Sequence, residues 1–213
     1  MEIKIKGQHF ELLPQKAMFW KETQTLLIGD LHLGKITHFR SEGFALPTAA
    51  AADNFERLNF LLQHTGATRI IFLGDLFHNR YNSEWDTFVL WRRIHAAIDM
   101  LIVMGNHDIL PKEALEEINI EVFEEQYEED GFVFKHHPQE VFLPNQYVFA
   151  GHVHPVFKSY GKGKQRFRLP CFVIDQEQAI LPSFGVFTGG FAVELVKDRK
   201  IYMTTDAQIF KLG

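Results

Sequence analysis

The chain has a single cysteine, Cys171, in 213 residues. No disulfide within the chain braces it, and its cysteine usage fits a reducing compartment. Long hydrophobic runs are missing too: no stretch approaches the roughly 20 apolar residues that a membrane-crossing helix needs. The opening residues Met1-Glu2-Ile3-Lys4-Ile5-Lys6 alternate polar and apolar like a strand. They lack the continuous apolar segment of a secretory signal, so a cytoplasmic protein is expected. Repeats, low-complexity tracts and linkers are also lacking, and 1–213 reads as one domain long enough for a sizeable core.

Positive charge is what residues 113–130 lack, with nine carboxylates and no Lys or Arg. That stretch reads as a solvated helix face and loop. Because it accounts for the sign of the net charge of -5, the balance says little about any local surface. Acid is what 158–168 lacks, where Lys158, Lys162, Lys164, Arg166 and Arg168 occur together. Two readings stand there, a solvated hairpin or a rail for a phosphate backbone beginning four residues after His154.

What the chain has in quantity is short apolar runs that end in polar clusters. Thr25-Leu26-Leu27-Ile28 leads into Gly29-Asp30, Ile70-Ile71-Phe72-Leu73 into Gly74-Asp75, and Leu101-Ile102-Val103-Met104 into Gly105-Asn106-His107. Phe132-Val133-Phe134-Lys135 and Tyr147-Val148-Phe149-Ala150 do the same before His136-His137 and Gly151-His152. These are five buried strands delivering polar residues at their carboxyl ends, the edge where α/β sheets bind ligands. Helical patterns lie between the first three, with Phe55, Leu58, Leu61 and Leu62 on one face, then Ser83 to about Ala97. Pro111 suits the first residue of a short acidic helix. Past residue 150 the texture is strand and turn, at 156–160, 167–175, 191–196 and 201–204. A βαβ half and a mainly β half together predict two packed sheets.

Seven of the 11 histidines (His32, His78, His107, His136, His137, His152 and His154) fall in the strand-end clusters, beside Asp30, Asp75, Asn106 and Asp108. Carboxylate, imidazole and amide without paired thiolates suit divalent manganese, zinc or iron. Read as strands, Asp30-x-His32 and His152-x-His154 each put both side chains on one face. The glycines before Asp30, Asp75, Asn106 and His152 permit tight turns. His9, His38, His64 and His95, outside the clusters, read as core residues. Asp108 either orients His107 or caps the turn before Pro111. Lys35, Arg40 and Arg80 follow metal motifs closely and are candidates to clamp a phosphate, with solvation the alternative.

Gly-Asp-x-His, Gly-Asp, Gly-Asn-His-Asp, a lone His and Gly-His-x-His, in this order, resemble the calcineurin-like metallophosphoesterases across nearly the whole chain. The resemblance implies a four-layer α/β/β/α sandwich holding two divalent metal ions, manganese first and zinc or iron as alternatives. It places Asp30, His32 and His154 on one ion and Asn106, His136 and His152 on the other, with Asp75 bridging. A metal-bridging hydroxide would be the nucleophile and His107 the general acid. His78 stands in Gly74-Asp75-Leu76-Phe77-His78, where monoesterases of the family have a second Asp; it resembles the diesterase and nuclease branches, which implies that His78 orients His107 or itself protonates the leaving group. Gly29-Asp-Leu-His-Leu-Gly-Lys35, Phe39-Arg40, Gly151-His-Val-His-Pro155, Pro170-Cys-Phe172 and Leu181 to Gly190 are similar to the ligase-associated DNA damage response endonucleases. That subfamily implies a DNA substrate, single-stranded or at ends, and a functional link with DNA ligase and helicase. Its usual His-Glu-Pro is His136-His137-Pro138 here, which leaves the role of His137 open. A nucleotide diesterase or pyrophosphatase would use the same centre, and a metal-free binding scaffold is the reading from another class.

Overall fold

The computed structural model describes residues 1–35, 49–78, 83–160, 166–186, 188–205 and 207–212. Three antiparallel strands, β1 (Glu2–Ile5), β2 (Gln8–Leu13) and β3 (Ala17–Trp20), lead into β4 (Thr25–Ile28). Strands β5 (Arg69–Phe72), β6 (Asp99–Val103) and β7 (Glu121–Phe123) then add in parallel, completing a seven-stranded sheet in sequence order. Helices α1 (Ala49–Thr65), α2 (Ser83–Ile94) and α3 (Lys112–Glu116) lie in the crossovers between these parallel strands.

The second sheet holds β8 (Tyr127–Glu129), β9 (Phe132–Phe134), β10 (Tyr147–Ala150), β11 (Pro155–Tyr160), β12 (Arg166–Ile174), β13 (Gln178–Ile180), β14 (Phe191–Ala192), β15 (Lys200–Thr204) and β16 (Ile209–Leu212). Its main path runs β14-β11-β12-β13-β10-β9-β8, and β15 joins through β12.

Period-two alternation decides how the sheets stack. In β3, Ala17 and Phe19 belong to the cluster under the helices, whereas Met18 and Trp20 face the second sheet. The same division separates Ile70 and Phe72 from Ile71 in β5. Both faces of the first sheet are thereby covered, which is why its parallel strands read as unbroken apolar runs. Aromatic rings lock the sheets together: Phe10 lies 5.5 Å from Phe132 and 5.0 Å from Phe149, and Trp20 lies 5.2 Å from Phe132. Such pairs contribute about 0.5–1.5 kcal/mol each beyond area burial.

The two-sheet α/β sandwich expected from the sequence is what the chain forms. All three described helices precede β7 and so belong to the crossovers of the first sheet. On the outer face of the second sheet, Phe142 from a strand-free segment packs on Val133, Val148 and Ala150. Several sequence expectations change. Part of the acidic stretch is strand, as β7 and β8, because the sheet edges need partners there. Pro111 caps α3 rather than starting it, and α2 ends at Ile94. Of the 191–196 run, only Phe191–Ala192 is strand. His9 and His64 are exposed, not core, and half-buried His95 meets Asn59 at 2.9 Å. His38 lies outside the described residues. No described helix is long and apolar enough to cross a membrane.

Candidate metal centre

Strands β4, β5 and β6 of one sheet and β9 and β10 of the other end at a common edge, and the polar clusters follow at once. The chain does not stay extended there. Asp30, His32, Asp75, His152 and His154 have φ values of 53, 50, 52, 65 and 47°, all in the left-handed region. This corrects the strand-like reading of Asp-x-His and His-x-His. Each such residue costs on the order of 1 kcal/mol or more, and it persists only where its surroundings over-determine it. They do: Asp30 N donates to Gly74 O at 3.2 Å, His32 N to Asp75 O at 2.9 Å, and His152 N to the Asp30 carboxylate at 2.9 Å.

The glycines act partly as expected. Gly74 has φ +76°, and a Cβ there would meet His136 Nδ1 at 2.3 Å; a Cβ on Gly151 would meet Asp30 Oδ2 at 2.5 Å. Gly29 needs neither, with nothing nearer than 3.6 Å. Gly74→Ala is therefore expected to lose about 1–3 kcal/mol through backbone strain and displacement of His136. Denaturant unfolding of the metal-free protein checks this, and an unchanged midpoint would contradict it.

Two groups of donor atoms converge. In the first, Asp30 Oδ1 lies 3.1 Å from His154 Nε2, and His32 Nε2 lies 3.4 Å from His154 Nε2. In the second, His136 Nε2 lies 3.1 Å from both Asn106 Oδ1 and His152 Nδ1. Asp75 stands between, with Oδ2 3.7 Å from His32 Nε2 and Oδ1 3.5 Å from His136 Nε2. Asp30, His32, Asp75 and His136 are all at most 4% exposed.

Hydrogen bonds outside the cluster settle which ring nitrogens face it. Leu73 O accepts from His136 Nδ1 at 2.9 Å and Thr188 O from His154 Nδ1 at 3.1 Å. A carbonyl only accepts, so both Nδ1 atoms carry a proton, and in the neutral ring each Nε2 turns its lone pair inward. Burial holds His32 neutral, with its pKa pushed down to about 2, and also lowers that of His152. For His154, burial works against the charged form, yet the hydrogen bond and charge of Asp30 outweigh it and the pKa rises. Lone pairs facing lone pairs around two buried carboxylates are costly unless a cation stands among them. The donor set thus fits two divalent ions, and Asp30-His32-His154 and Asp30-Asp75-His136 each bring three ligand atoms within 4.8 Å.

The remaining candidates separate. His107 is exposed, donates its backbone N–H to Asp75 Oδ1 at 2.9 Å, and its ring lies 5.0 Å from that of His78 and 5.6 Å from that of His32. Burial lowers the pKa of half-buried Lys35, and the negative charges of Asp75 and Asp30 oppose that shift. Arg40 and Arg80 lie outside the described residues. Asp108 turns away from the chemistry. Its oxygens accept the backbone N–H groups of Asp75 at 2.7 Å, Gly105 at 2.8 Å and Phe77 at 3.1 Å. Burial pushes its acid up to about 6 despite those donors. Asp108, expected either to orient His107 or to cap the turn before Pro111, thus clamps the loop that carries Asp75.

Residues that the sequence reading passed over complete the support. Ser183 Oγ donates to Asp30 O at 2.8 Å, Gly185 N to the same carbonyl at 3.0 Å, and Phe184 N to Gly29 O at 2.8 Å. Arg57 braces this segment through Phe184 O at 2.8 Å, and Glu84 accepts Gly34 N–H at 2.7 Å. Exposed Arg168, cross-strand from Lys158, donates to Gly190 O, and Phe191 N reaches His154 O at 3.2 Å.

The calcineurin-like phosphoesterase family matches residues 23–169. Among solved structures, nuclease MPE of Pseudomonas putida is similar over 100% of this chain and 99% of its own, with 32% identity and a TM-score of 0.84. The phosphoesterase Yfce of E. coli is similar at 15% identity over 84% of this chain and 86% of its own, with a TM-score of 0.46. No curated protein matches.

Proposed function

The chain belongs to the calcineurin-like phosphoesterase family, and from that premise we propose that it is a two-metal phosphodiesterase that cuts DNA. The observation that carries this is Asp75, whose two oxygens face opposite donor groups at 3.7 and 3.5 Å. Asp30, His32 and His154 would hold one ion and Asn106, His136 and His152 the other, with Asp75 available to both. When bound, the two ions acidify water towards a pKa of about 7 and neutralise charge on the phosphoryl oxygens. The residues do the rest. His107 passes its proton to the leaving oxygen as the phosphorus–oxygen bond breaks, and the attacking water's oxygen becomes part of the product monoester. His78, with its ring 5.0 Å away, orients His107. Half-buried Lys35, three residues after His32, serves as a cation for the phosphate.

Three lines support a nucleic-acid diester. The whole-length relative at 32% identity is a nuclease. His78 stands where an Asp would suit monoesters, and Lys158 with Arg168 forms a basic cross-strand pair beside the loop of His154. The DNA is most simply single-stranded or at ends, the place of action the cytoplasm and DNA repair, alongside ligase and helicase, and the ion manganese. A bis-aryl phosphate diester, its monoester and single-stranded DNA, each with manganese and with chelator, test the reading. Diester and DNA cleavage lost on chelation are expected. Preference for the monoester would sink the reading of His78, and diester turnover without DNA cleavage would move the substrate to nucleotides.

A further inference from the structure

His137 stands outside the ligand set above. It is exposed, on the loop after β9, and is followed by Pro138. Its ring centroid lies 4.1 Å from that of His152 and 4.7 Å from that of His136. One ligand nitrogen from each of His136, His137 and His152 falls within a set whose atoms are no more than 4.8 Å apart. Two imidazoles on one ion at about 2.1 Å place their nitrogens about 3.0 Å apart when adjacent and about 4.2 Å when opposite. A small side-chain rotation therefore brings His137 into range, and its exposure leaves it free to make one.

We infer that His137 is an additional ligand of the second metal position and makes that position selective for nitrogen-loving ions. The inference rests on the two-metal reading above. The first position is supplied by Asp30, Asp75, His32 and His154, balanced between carboxylate and imidazole. With His137, the second has three imidazoles, the Asn106 amide and the shared Asp75. Imidazole-rich sets favour zinc and its late-transition neighbours, whereas carboxylate and carbonyl oxygen suit manganese and magnesium. The two positions are thus unequal, and the second prefers zinc. His137 and Asn106 are exposed and His152 half-buried, so this donor group is reached from solvent.

Calorimetric titration of chelator-stripped protein with zinc and, separately, manganese tests this in the parent, His137→Ala and His137→Glu. The parent is expected to bind two ions of either metal. His137→Ala should weaken one of the two zinc sites by about tenfold or more, as expected for a lost ligand when even outer contacts are worth 10–100-fold. The other zinc site should hold within about twofold, and manganese should weaken less. His137→Glu should restore manganese binding but not the zinc preference. In cobalt-loaded protein, His137→Ala should change the intensity of the visible absorption band. Unfolding of stripped His137→Ala should match the parent, as befits an exposed side chain. Two zinc sites unchanged in His137→Ala, with an unchanged cobalt band, would overturn the inference and leave the two-metal reading standing. A parent that binds no transition metal would overturn both.

Discussion

Asp75→Asn is expected to cut diester hydrolysis by about 10³-fold or more while leaving the metal-free protein at least as stable as the parent. Loss of the shared ligand removes charge stabilisation worth several kcal/mol, and each 1.36 kcal/mol is tenfold in rate. Stability moves the other way because Asp30 and Asp75 are both buried, at 0% and 2% exposure, and without cations they repel each other in a poorly solvated site. The amide keeps an oxygen for the His107 backbone N–H, which Asp75 Oδ1 accepts at 2.9 Å, so local geometry is retained. Steady-state rates with saturating manganese and melting in chelator check both signs. A rate loss below tenfold, or a clear fall in metal-free melting temperature, would contradict the bridging assignment.

The second large effect is expected at His107. His107→Asn should lower DNA cleavage by roughly 10²–10⁴-fold, the usual worth of a general acid. The same variant should lose less than about tenfold on a diester with nitrophenolate leaving groups, because that anion departs without a proton. The contrast separates proton donation from mere positioning. If His107 only shaped the site, both substrates would suffer alike, and equal losses would remove it from the acid's role.

Much of this centre was legible because strand and cluster are adjacent in sequence. Thr25–Ile28 and Tyr147–Ala150 form strands with the bounds read from their apolar runs, and the family's order of motifs named Asp30, His32, Asp75, Asn106, His136, His152 and His154. What was hidden is whatever depends on distant partners. Asp30-x-His32 looks like strand, yet its left-handed turns come from pairing with Gly74 and Asp75, more than 40 residues away. Ser183 meets the carbonyl of Asp30 from 153 positions on, and no local pattern announces that contact. Asp108, next to His107 in sequence, was drawn towards chemistry by that adjacency, whereas its carboxylate is occupied by three backbone N–H groups. Strands β2 and β3 lack the polar cluster that marks the ends of the site-bearing strands. The acidic stretch was read from charge, while the β7 pairing with β6 is decided by the sheet edge it completes.

The Arg57 brace and the Ser183 contact show how the N- and C-terminal halves share responsibility for the first metal position. One sheet offers Asp30 and His32, the other offers His154, and Ser183, Phe184, Gly185 and Phe191 touch the backbone of these two loops. Neither half could assemble the donor set alone, which explains why the motifs are spread from Gly29 to His154 while the atoms they bring lie only 3.1 and 3.4 Å apart.

The most direct measurement counts the metal held by the purified protein and by Asp75→Asn. Elemental analysis after loading with manganese and removal of free ion is expected to find two ions per chain in the parent and at most one in the variant. Fewer than one ion in the parent, or two in Asp75→Asn, would contradict a binuclear centre bridged at Asp75.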